Sequence, residues 1–184
     1  MAWTRRRVIF VGAGGALALV GLAVFGLRRW RNGPPPTGSA LLAGKRPLFA
    51  AVTVALLGPA LATEPTRRAA ELVRVETAAA RLLDNLPPGT RREFADLLEM
   101  LAFAPARSLL GYSGAWSEAA AADIAHWLAG LRASTFAPKA QIYFALHDLV
   151  FGGHYADPAA WTAFGYPGPP WGRLGLAERG RARA

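Results

Sequence analysis

The longest apolar stretch, Val8 to Leu27, runs for twenty residues without a polar side chain, with Arg5, Arg6 and Arg7 before it and Arg28, Arg29 and Arg31 behind it. At about 1.5 Å per residue such a helix covers about 30 Å, the hydrocarbon thickness of a bilayer. An amphipathic core helix would carry a polar stripe, and this run has none. The pattern therefore predicts a transmembrane or signal helix over 8–27, inside an N-terminal unit of residues 1–31. A second apolar stretch, Pro47 to Ala62, is sixteen residues long and is interrupted by Gly58-Pro59. It is short for a span. A core helix buried on most sides, kinked or ended near Pro59, is expected there, with a second span closing a membrane hairpin as the rival.

Past Ala62 the apolar positions take up helical spacing. Thr63 or Glu64 can cap a helix whose first turn holds Pro65. Leu72, Val75, Ala79, Leu82 and Leu86 then recur at intervals of three and four, a core-facing stripe. Pro87-Pro88-Gly89 should end this helix, and Thr90-Arg91-Arg92-Glu93 has the spacing of a capping box ahead of Phe94, Leu97, Leu98 and Leu101. Pro105 breaks or bends the next helix, and Gly111 to Gly114 reads as a loop. Ser117 is placed to cap a helix with Ile124, Trp127 or Leu128, and Leu131 inward. Pro138 to Phe151 reads as a helix with Ile142, Leu146, Leu149 and Val150 toward the core, closed by Gly152-Gly153.

No segment alternates with period two, so the fold class expected is all-α: an N-terminal transmembrane or signal helix, then a compact bundle of about five helices. Residues 32–46, with Asn32 to Ser39 rich in proline and glycine, read as a linker. The helical domain occupies 47–151. Residues 152–171 form an aromatic and proline-rich segment in which Asp157-Pro158 starts one or two turns and the rest is extended. The basic tail, 172–184, is expected to be disordered.

The net charge of +9 suggests nucleic acid until it is divided along the chain. Residues 1–46 hold eight basic side chains and no acid, and 171–184 hold four against Glu178, whereas 47–170 hold nine basic and eleven acidic, a sum of −2. A nucleic-acid-binding domain should carry its own basic face; no nucleic-acid partner is expected, and the basic ends suit anionic headgroups better. The absence of cysteine excludes disulfides, thiolate metal sites and thioether-linked haem.

Thr4-Arg5-Arg6-Arg7-Val8-Ile9 resembles the twin-arginine export motif, with Val8 where phenylalanine is usual, and the glycine-rich run behind it suits such signals. No small-x-small cleavage site follows directly. Arg5, Arg6 and Arg7 are thus export-signal candidates on an uncleaved anchor. Arginines flank the run on both sides, so the positive-inside count is close to balanced.

Tyr155, Asp157-Pro158, Trp161 and Gly165-Tyr166-Pro167-Gly168-Pro169-Pro170, preceded by Leu86-Pro87-Pro88 and Arg91-Arg92-Glu93-Phe94, resemble the small subunits that accompany membrane-associated, flavin-dependent dehydrogenases of the glucose-methanol-choline type. The small third subunits of bacterial gluconate and glucose dehydrogenases are of this kind. The resemblance covers roughly residues 48–170. It implies a non-catalytic chain that binds a flavin-loaded large subunit and supplies the export signal its partner lacks. FAD would sit in that partner, with no cofactor in this chain, and a cytochrome c subunit is a candidate third component. The location implied is the bacterial inner membrane, single-pass, with the domain on the periplasmic side. Tyr155, Asp157, Trp161, Tyr166, Pro167, Pro169, Pro170 and Trp171 become the partner-binding candidates, since large aromatics dominate binding energy where they are fully buried. The chain departs from such relatives in its uncleaved, arginine-flanked run and in Gly153-His154, where aromatics are frequent. A membrane-tethered scaffold or assembly factor for another partner is the alternative.

Catalytic signatures are missing. Gly12-Ala13-Gly14-Gly15 lies inside the apolar run with no strand before it, so it is no phosphate-binding fingerprint. His126, His147 and His154 are scattered, and a metal site combining them with Asp123 would need three segments to converge. His147 and Asp148, as sequence neighbours on a helix, should point to different faces. Arg67-Arg68 and Arg91-Arg92 open their helices and read as solvent-facing, with partner salt bridges as the sharper alternative.

Overall fold

Six of the described α-helices begin with a proline in the first or second position: Pro47, Pro65, Pro88, Pro105, Pro138 and Pro158. Proline lacks only an N–H that has no intrahelical partner there, and its fixed φ already suits the helix. The computed structural model describes residues 34–161 and 165–168. Arg5, Arg6 and Arg7, the run 8–27, Pro169, Pro170, Trp171 and the basic tail lie outside the described residues.

In chain order the helices are α1 (Gly38–Ala43), α2 (Arg46–Leu57), α3 (Pro65–Asn85), α4 (Pro88–Ala102), α5 (Ala104–Leu109), α6 (Ala121–Arg132), α7 (Ala137–Tyr155) and α8 (Pro158–Trp161), with single 3-10 turns at Gly58–Ala60 and Trp116–Glu118. No strand occurs among the described residues, so the domain is all-α. Helix α7 packs along α3 and against α6, α2 crosses α6 and α7, and α1 lies on α3. Leu42, Val52, Leu83, Leu98, Ile124, Leu128, Leu131 and Leu146 are buried at the centre.

Several local expectations are corrected. Residues 38–43 are helical and Leu41 and Leu42 are buried, so the linker stops short of residue 46. Thr37 caps α1 through its side-chain oxygen, and the Gly38 N–H donates to Asp84 Oδ1 at 2.8 Å, which ties the start of the domain to α3. A Cβ at Gly38 would run into the Ala80 carbonyl, so only glycine fits there. Pro88 opens α4 directly after Pro87, which puts Thr90 inside the helix and leaves no capping box. Helix α6 starts at Ala121 without a side-chain cap, because Ser117 is held in the 3-10 turn that buries Trp116. The α3 cap is as expected: Glu64 accepts from the Thr66 and Arg67 N–H groups at 2.8 and 2.7 Å, and these bonds hold its carboxyl below the usual carboxylate range.

Gly152-Gly153 does not end the long helix, which continues to Tyr155. The two glycines serve a helix crossing instead: a Cβ at Gly153 would lie 2.9 Å from the Val75 carbonyl oxygen, and one at Gly152 would lie 2.9 Å from Leu82 Cδ1. Removing both side chains lets α7 and α3 approach closely. Residues 47–62 form the expected core helix and turn, with Leu48, Phe49, Val52, Thr53 and Leu57 buried. Among the described residues no single helix is long and apolar enough to cross a membrane; α2 with its turn passes such a test only jointly with α3, across a bend of 117°.

Candidate partner-docking face

Helix α7 is apolar on nearly every side, and beside its fully buried face Tyr143 and Phe151 are part-buried against the core. Ile142, Leu146, Leu149, Val150 and Gly153 face inward and are buried. Along the flank of that face Tyr143, His147, Phe151 and Tyr155 recur every fourth residue, so they stand one above another, with Tyr155 the most exposed. Successive ring centroids are 5.6, 4.4 and 5.9 Å apart, with His147–Phe151 and Phe151–Tyr155 stacked. Phe144 leans edge-on against Tyr143 and is 53% exposed. The Arg132 guanidinium reaches across from α6 to 5.8 Å above the Tyr143 ring, within cation–π range. His147 Nδ1 lies 3.0 Å from Asp148 Oδ1, so these neighbours do meet, contrary to the expectation from helical spacing.

The ladder continues around the corner into α8. The Trp161 indole N–H donates to the Tyr155 carbonyl at 2.8 Å, and Tyr166 meets the Trp161 ring edge-on at 5.5 Å. The Tyr166 N–H donates to the Trp161 carbonyl, and Gly168 passes so close that a Cβ there would sit 3.2 Å from the indole. Gly165 and Gly168 both take positive φ, 63° and 88°, which L side chains rarely adopt. The corner is thus a compact aromatic knob, with Tyr155 and Tyr166 still 41% and 49% exposed.

Asp157 is the hinge of that corner. Its Oδ1 accepts from the Ala159 N–H at 2.9 Å, the capping role expected of it, while Oδ2 pairs with Arg74 Nε of α3 at 3.2 Å. Arg74 also lies 3.7 Å from Glu71, and Glu71 Oε2 accepts from the Ala62 N–H at 2.8 Å. These groups surround a cleft of about 170 Å³ that His154 enters from α7. Burial pushes the His154 pKa below the ordinary imidazole value, with Glu71 and Asp157 pulling the other way.

Of the sequence-derived partner residues, Tyr155, Asp157, Trp161 and Tyr166 are brought together here, Pro167 follows them as an exposed residue, and Pro169, Pro170 and Trp171 lie outside the described residues. Sequence reasoning missed Tyr143, Phe144, His147 and Phe151. Tyr143, His147 and Phe151 recur every fourth residue, a signal that merges with the buried stripe of the same helix. The histidines do not converge: His126 is exposed on α6, and among the described residues no group of three or more ligating side chains could hold a metal ion.

Trp127 is core, as expected, and within that core its ring meets Tyr112 and Trp116. Its indole N–H donates to the Leu110 carbonyl at 3.1 Å and that of Trp116 to Leu101 at 3.0 Å, so both rings fasten the loop after α5. Arg91 is less solvent-facing than expected: it donates to Asp84 and to the carbonyls of Asp84 and Leu86, clasping the α3–α4 turn. Comparison with protein-family models, curated proteins and solved structures found no match.

Proposed function

We propose that this chain is a non-catalytic small subunit that binds, helps export and anchors a flavin-dependent dehydrogenase large subunit of the glucose-methanol-choline type. The observation that carries the reading is the aromatic ladder of α7 continuing through Trp161 to Tyr166. A helix that leaves Phe144 and Tyr155 exposed beside a part-buried aromatic column is suited to burying them against another protein. Aromatic rings are the side chains that contribute most at such interfaces. The motif resemblance over Tyr155 to Pro170 supports the same partner class, and the arginine-led apolar run supports a tethered, exported chain. On this reading FAD belongs to the partner, a cytochrome c subunit is a candidate third component, and the domain stands on the periplasmic side of a bacterial inner membrane.

Affinity purification of the tagged full-length chain from its native host tests this. A co-purifying large subunit with flavin absorbance is expected. Recovery of the chain without any flavoprotein would refute the assignment.

A further inference from the structure

We propose that Arg74, Glu71, Asp157 and His154 form an acid-released latch that sets the position of the aromatic corner, and hence of the docking face, on the body of the domain. Its functional meaning rests on the docking reading above; the latch itself can be tested without any partner.

The corner is fastened at the start of α8 and to α3. Asp157 divides its carboxylate between them, one oxygen capping α8 and the other held by Arg74. Arg74 Nη2 also lies 3.7 Å from Glu71 Oε1, and the other oxygen of Glu71 accepts from the Ala62 N–H. Each carboxylate therefore already serves both a backbone donor and the guanidinium. His154 enters the same cleft from α7. Facing it are Glu71 and Arg74 from α3 and Asp157 from the α7–α8 turn, and the α2–α3 connection contributes only the apolar Ala60.

A proton on His154 adds a second cation to the partly desolvated cleft that Arg74 lines, where Glu71 and Asp157 both attract it. It competes with the guanidinium for the same carboxylate oxygens. Loosening Asp157 from Arg74 frees α8 from α3, and with it Trp161, whose indole bond to the Tyr155 carbonyl defines where the knob sits. Neutral His154 keeps the latch closed and protonated His154 opens it.

The experiment follows the Trp161 indole ¹⁵N–¹H resonance of the full-length chain in detergent micelles from pH 8 to pH 5, assigned with Trp161→Phe. A one-proton titration is expected, with its midpoint below the ordinary histidine value of about 6.5. In His154→Gln the titration should vanish, in His147→Gln it should persist, and in Arg74→Gln the resonance should sit near its acid position throughout. Arg74 is half exposed, so its replacement leaves the core intact. A resonance that ignores pH, or a titration that survives His154→Gln or follows His147, would overturn the latch. Those results would leave partner docking untouched, whereas failed co-purification would leave the latch standing.

Discussion

The two sides of helix α7 share a backbone and an apolar character, yet they differ in what holds them. Leu146 and Val150 on the inner side are sealed by α2, α3 and α6, and Gly153 lets α3 approach to backbone contact. Tyr143, His147, Phe151 and Tyr155 form a column at the edge of the core, in which Tyr143 and Phe151 are part-buried and Tyr155 is exposed. The difference separates two uses of hydrophobic surface. Apolar area removed from water within the chain stabilises the fold, whereas apolar area left at the surface is available to a partner. Substitutions on the two sides should therefore read out in different experiments.

The largest effect is expected on the inner side. Leu146→Ala should lower unfolding free energy by about 2–5 kcal/mol, since a fully buried leucine leaves a cavity the neighbours fill only partly. Chemical denaturation measures it. Gly153→Leu should cost about 1–3 kcal/mol or more by the same assay, because the new side chain meets the Val75 carbonyl, which cannot rotate away. Thr53→Val should act in the opposite direction by about 1 kcal/mol. Its hydroxyl is buried with no hydrogen-bond partner among the described residues, and a methyl of similar size removes that penalty. On the outer side, Phe144→Ser should change stability by no more than about 0.5 kcal/mol, as exposed positions do.

Acid sharpens the comparison. The His154 pKa is lowered in the folded chain, so the unfolded chain binds its proton first. Its neutral form supports the fold above the ordinary histidine value, and that support declines as pH falls through this value toward the lower folded one. Glu64 is also lowered, and as a carboxylate its cap is present above the ordinary 4.5 and is lost as pH falls through its folded value. Thermal melts should show two acid losses, with His154→Gln removing the upper one and Glu64→Ala the lower.

Much of the helical framework was legible in the sequence. The three-four stripes placed Val75, Ala79, Leu98, Ile124, Leu131 and Leu146 in the core, and the composition of residues 47–62 identified a buried helix. Pro88 and Pro105 can each either end one helix or begin the next, and in the structure both open helices, where the missing N–H is harmless. Gly152-Gly153 misled for a related reason: glycine signals both a helix end and a close crossing, and the crossing depends on α3, some seventy residues earlier. The docking corner was partly legible through Asp157-Pro158 and Trp161. Its extension along α7 was not, since a second apolar stripe is easily absorbed into the first. The Arg74–Asp157 bridge depends on tertiary approach and left no local trace.

The most direct test is co-purification from the native host, comparing the tagged full-length chain with its Phe144→Ser and Tyr155→Ser double variant at matched expression and matched melting temperature. The expected result is a flavin-bearing large subunit recovered with the parent chain and reduced by more than tenfold with the variant. A flavoprotein recovered equally with both, or with neither, would contradict the docking face.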